Sequence, residues 1–185
     1  MINDIKKDAE TRMQKSIESL KSELSKVRTG RASVTLVEDL KVDFYGTPTP
    51  LSQTSTLHTP DARTITIAPW DPSMLATIEK AISASDLGLT PSNDGKLIRL
   101  SIPPMTTERR EQMAKLVRKY AEDAKIAIRN VRREFNDKIK AMAKDSEISK
   151  DEEKKGHDQI QKITDKWIEE VDKFAQTKEK DVMED

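Results

Sequence analysis

Residues 106–144 read TTERREQMAKLVRKYAEDAKIAIRNVRREFNDKIKAMAK, without a proline or glycine. Met113, Val117, Tyr120, Ala124, Ile128, Val131, Phe135, Ile139 and Met142 recur at steps of three or four. That spacing puts one apolar stripe along an α-helix. Thr106 or Thr107 supplies a capping hydroxyl, and Glu108 and Glu111 place carboxylates in the first turn. A helix of this length spans roughly 55–60 Å at 1.5 Å per residue. It cannot stand alone in water, so its stripe requires partners.

The flanking segments provide them. Ile2, Ile5, Ala9, Met13, Ile17, Leu20, Leu24 and Val27 form a second stripe, with Gly30 directly after as a candidate helix C-terminus. A third helix starts at Ser149, whose spacing to Glu152 is that of a capping box. Its stripe is Ile160, Ile163, Trp167, Val171 and Phe174, with Val182 near the end. Three stripes predict a three-helix bundle, the last two helices antiparallel through the short turn at 144–148.

All eight prolines and four of the five glycines fall between residues 30 and 104. Proline breaks helices, so this stretch reads as a separate turn-rich insert within the helical part. The expected division is 1–29 and 105–185 for the bundle and 30–104 for the insert. Strands are expected at 41–45, 64–68 and 97–102. A short helix follows Asp71-Pro72, with Met74, Leu75, Ile78 and Ile82 on its inner face. The fold class is α+β, the inserted domain having its sheet covered at least in part by that helix. Residues 28–32 and 103–106 then form a two-stranded connection. Arg28, Thr29, Gly30 and Arg31 on one side, with Pro103, Pro104 and Met105 on the other, read as a helix end and chain exit or as a hinge.

Composition narrows the chemistry. The 185 residues contain no cysteine and two histidines, His58 and His157, neither near a catalytic arrangement. Gly88 to Gly95-Lys96 fails as a phosphate loop, because its spacing is wrong and Leu97 stands where Ser or Thr is required. No enzyme activity, metal or cofactor is implied. No apolar run approaches a membrane span, and the N-terminus lacks a secretory apolar core, so a soluble cytoplasmic protein that works by binding is expected.

Charge is uneven although 33 basic and 33 acidic residues cancel. Residues 105–146 carry a net +5 and residues 147–185 a net −5. Antiparallel helices would pair some of these charges and leave the rest for a partner. Arg118, Lys125, Arg129, Arg132 and Lys140 share one face of the long helix, flanked by Arg110 and Arg133. A solvated surface accounts for such a face. So does recognition of an RNA backbone, since five of the seven are arginine, whose planar fork matches phosphate oxygens.

Several stretches, in order along the chain, resemble the bacterial ribosome recycling factor family: Lys26-Val-Arg-Thr-Gly-Arg-Ala32, Phe44-Tyr-Gly-Thr-Pro-Thr-Pro-Leu51, Ser85-Asp-Leu-Gly-Leu89, Ile102-Pro-Pro-Met-Thr-Thr-Glu-Arg-Arg110 and Ile128-Arg-Asn-Val-Arg-Arg133. Lys144-Asp-Ser-Glu-Ile-Ser149 is similar too. The resemblance implies an L-shaped, two-domain monomer, a long bundle with a small β/α/β sandwich on flexible connectors. It implies binding to post-termination 70S ribosomes and, with elongation factor G and GTP, dissociation into subunits. It places Arg129 and Arg132 on large-subunit ribosomal RNA, with Arg110 on the same surface. Arg133, Arg118 and Lys125 join them as expected RNA-binding residues from the stripe. Neither DNA nor a membrane is an expected partner. The alternative is a helical scaffold or chaperone, which would expose apolar patches and bind independently of salt.

Overall fold

The computed structural model describes residues 2–184. In chain order the elements are α1 (Ile2–Ser25), β1 (Lys41–Phe44), β2 (Thr47–Pro50), β3 (Ser55–Asp61) and β4 (Thr64–Pro69). Then come α2 (Leu75–Ala84), β5 (Pro91–Asn93), β6 (Ile98–Ser101), α3 (Thr107–Lys144) and α4 (Lys150–Met183). They divide into two compact units, 2–29 with 106–184 and 30–105.

In the first unit α1, α3 and α4 pack against one another. The 38 residues of α3 form one unbroken helix, about 57 Å long. Its start is fixed by Thr106, whose hydroxyl accepts from the Arg109 amide at 3.2 Å. Met13, Val117, Ile128, Phe135, Ile139 and Ile160 are each almost wholly buried, spaced along the length of the bundle. Burial of such a side chain contributes about 1.5–3 kcal/mol, so the three stripes hold the helices together. Ala114 and Ala121 are buried on α3 while Tyr120 and Met142 are only half-buried, which shifts the inner face slightly from the expected stripe. Gly156 lets α4 approach α3 closely, since a Cβ there would lie 3.2 Å from Ile139 Cδ1. Trp167 and Phe174 are half-buried, at the margin of the core.

The ends of the long helices differ in how they close. α4 begins with the full capping box of Ser149 and Glu152. α3 ends with Ser146 in the left-handed region (φ 59°) and Glu147 N donating to Met142 O at 2.9 Å, which closes the last turn. α1 stops at Ser25, short of the expected Gly30. Its last carbonyls are met by the amides of Lys26 and Val27, each bonded three residues back at 3.2 Å.

The second unit holds two antiparallel sheets, the hairpin β1–β2 and a four-stranded sheet in the order β3-β4-β6-β5. Ile65 pairs with Leu100 and Ile67 with Ile98, so all four point to one face. Ile78 and Ile82 of α2 join them in the same core, with Val42 and Leu51. Pro48 and Pro50 lie in β2, an extended edge segment, and Pro60 and Pro91 lie in β3 and β5, which the sequence does not mark as strands. All three are edge strands, where a missing amide donor breaks no central ladder.

Candidate nucleic-acid interface

The antiparallel packing of α3 and α4 brings the basic face of one against the acidic face of the other. Arg118 forms an ion pair with Glu179, and Lys125 Nζ lies 2.5 Å from Asp172. Arg110 Nη1 donates to the Met183 carbonyl at 3.1 Å, beside the end of α4. Arg129 pairs with Glu122 of its own helix at 3.0 Å. Arg132 has a neutral partner instead, donating to Gln161 Oε1 at 3.4 Å. Arg133 is exposed, and no described acid pairs with it. One turn on, Asn136 meets His157 Nδ1 at 2.7 Å, and His157 Nε2 is 3.7 Å from Glu153.

All six cations expected from the sequence therefore lie on one helix, but their charges differ in availability. Arg118 and Lys125 are neutralised by α4. Such exposed pairs are worth only about 0.2–1 kcal/mol and still hold their cations against an acid. Arg132 and Arg133 keep an uncompensated charge, and Arg129 shares its pairing with an exposed glutamate. The field of the face is concentrated between residues 129 and 133. On the opposite flank of α3, Glu134 is held between Arg12 of α1 at 2.6 Å and Lys138 at 3.1 Å. Arg12 and then Lys138 hold its carboxyl below the ordinary glutamate value. That seam is structural.

The chain exits are also defined. Gly30 has φ +77°, and a Cβ there would sit 3.6 Å from Met105 Cγ. Ala32 N donates to Ala62 O and Ile102 N to Arg63 O, both at 2.7 Å. Both exits are thus tied to the β3–β4 turn of the small unit. Pro103 and Pro104 are exposed and outside regular structure, and Arg28, Thr29, Arg31 and Met105 are each engaged in contacts.

Also on the small unit, Tyr45 (φ 51°) and Trp70 are 74% and 65% exposed. The Tyr45 hydroxyl donates to Asp71, and Trp70 Nε1 to Thr56 Oγ1 at 3.0 Å. On the bundle only Ile126 and Met183 are large, apolar and exposed among the described residues, which is no patch for gripping another protein. No described cluster of His, Asp or Glu could hold a metal ion, and no described helix is long and apolar enough to cross a membrane.

Sequence reading located the cations but not Glu179, Asp172 or Gln161, the α4 residues that decide which of them are neutralised. The signal for pairing was the +5 and −5 of the two segments. Matching particular residues needs the register, which periodicity alone does not supply.

The bundle and the small unit define a two-part α+β protein whose distinguishing feature is a charged helix face. The chain belongs to the ribosome recycling factor family, whose model, described as "Ribosome recycling factor", matches residues 20–183. The ribosome-recycling factor of Oleidesulfovibrio alaskensis is 52% identical over 177 residues, 96% of either chain. That of Legionella pneumophila strain Paris is 50% identical over 184 residues and the full length of both. A solution structure of a ribosome recycling factor superposes with TM-score 0.77 at 41% identity, over 98% of this chain and 97% of that one. A second similar structure comes from models of the T. thermophilus ribosome recycling factor and E. coli elongation factor G bound to the E. coli post-termination complex. It covers both chains fully, at TM-score 0.67 and 44% identity.

Proposed function

We propose that this protein recycles ribosomes: it binds the post-termination 70S particle and, with elongation factor G and GTP, promotes its separation into subunits. Identity of about half the residues with ribosome-recycling factors, from end to end, carries this reading. The protein acts in the cytoplasm, as a monomer, and catalyses no reaction itself. Its bundle anchors to large-subunit ribosomal RNA through Arg129, Arg132 and Arg133, with Arg110, Arg118 and Lys125 extending the same face. Arginine forks make charge-assisted contacts to phosphate oxygens, and an uncompensated guanidinium contributes most. The connectors Arg28–Arg31 and Pro103–Met105 serve as the hinge. Gly30 lies in the left-handed region that suits glycine, and two proline residues stiffen the second crossing without regular hydrogen bonds. Elongation factor G acts on the small unit or the hinge, and the packed helices transmit the load to the contacts between subunits.

Sedimentation of 70S particles with elongation factor G and GTP tests the proposal. Adding this protein should convert the 70S peak into subunit peaks. An unchanged 70S peak at saturating protein would refute it.

A further inference from the structure

The ion pairs between α3 and α4 follow a fixed register. A step of seven residues forward on α3 meets a step of seven backward on α4, from Arg118 with Glu179 to Lys125 with Asp172. The next step places Arg132 opposite Asp165, another carboxylate. Yet no ion pair joins these two among the described residues. Asp165 accepts instead from Gln161 Nε2 at 2.7 Å, and the Gln161 carbonyl accepts from Arg132 at 3.4 Å. This orientation of the amide is the one that chemistry requires, since a carboxylate only accepts and a guanidinium only donates. Gln161 therefore stands between a cation and the acid that the pattern assigns to it.

We infer that Gln161 is a positioning residue, a neutral spacer that keeps Asp165 from neutralising Arg132 and leaves that guanidinium for an RNA phosphate. The inference rests on the anchoring role proposed above for Arg132. With the amide gone, Arg132 and Asp165 close into a third ion pair like its two neighbours. RNA must then break that pair to bind.

Binding of the full chain to 70S ribosomes over a series of salt concentrations tests this. Gln161→Ala should weaken binding roughly two- to fivefold, the strength of an exposed ion pair, with a shallower salt dependence. The same substitution should cost nothing in an Asp165→Asn background, because no acid is left to capture the arginine. Wild-type affinity for Gln161→Ala, or an equal loss in both backgrounds, would overturn the inference. Arg132→Ala separates the two levels. If it weakens binding while Gln161→Ala does not, only the spacer role fails. If Arg132→Ala binds as wild type does, the anchor fails and the spacer with it.

Discussion

Two substitutions on one helix face should have very different consequences. Arg132 faces a neutral amide and carries its full charge to a ligand, whereas Arg118 is already paired with Glu179. In the proposed anchor, truncating Arg132 to Ala removes a charge-assisted hydrogen bond to phosphate, worth about 1.5–3 kcal/mol. That corresponds to a dissociation constant about 10- to 150-fold weaker. The fold should persist, because the side chain lies off the buried stripe. Arg118→Ala combined with Glu179→Ala removes a pair and leaves the net charge unchanged. An exposed pair contributes about 0.2–1 kcal/mol, so this double variant should stay within about fivefold of wild type. Equilibrium binding to 70S ribosomes as salt is raised reads both effects. The slope of log affinity against log salt should fall by about one for Arg132→Ala and stay unchanged for the double variant. Equal losses for the two, or no loss for Arg132→Ala, would refute the reasoning that α4 selects the available cations.

Three further predictions concern the fold. Phe135, 1% exposed between the helices, should cost about 3–5 kcal/mol when replaced by Ala, measured by urea unfolding followed at the helical circular dichroism band. Ser146→Gly should stabilise the bundle by about 0.5–1 kcal/mol, because glycine accepts its left-handed φ more readily, and a rise in melting temperature would show it. Acid should weaken the small unit. Tyr45 and then Ser73 hydrogen bonds hold the Asp71 carboxyl below its ordinary value, and the amides of Leu97 and Lys96 do so for Asp94. A folded value below the unfolded one, about 3.9, makes the native state release protons first. The stabilisation is then complete above the unfolded value and lost as pH falls through the folded one. Unfolding titrations should show stability flat above about pH 5 and declining below 4, less steeply in Asp71→Asn.

The long helices were legible because their signals are local. Thr106 and Ser149 announce themselves as caps by residue type and spacing, and the absence of proline gives helix length. The small unit was only partly legible. β4 and β6 alternate apolar and polar residues over a buried face, as do the Ile65 and Leu100 partners, so a period of two finds them. β2 shows only as an extended segment stiffened by Pro48 and Pro50, and β3 and β5, each with one unpaired edge, lack the apolar alternation that marks a strand. The end of α1 was missed because Gly30 is the obvious stop signal, yet the chain leaves the helix earlier, at Ser25, by tightening its last turn. For the site, a helical period assigns the cations to a face. It cannot say that Arg118 meets an acid and Arg132 an amide, since that depends on the offset between α3 and α4. The link from Asp145 to Ser149 fixes that offset.

Tethered cleavage reads the location of the basic face most directly, and the absence of cysteine from the chain makes each probe unique. An iron chelate attached at Ile126→Cys sits on the exposed side of α3 one turn from Arg129, and a control at Ser22→Cys sits on the outer side of α1. On 70S ribosomes the probe at 126 should cut large-subunit RNA, and the cuts should vanish when Arg129 and Arg132 are both replaced by Ala. Cuts confined to small-subunit RNA, or equal cutting of large-subunit RNA from position 22, would contradict an anchor made by this face.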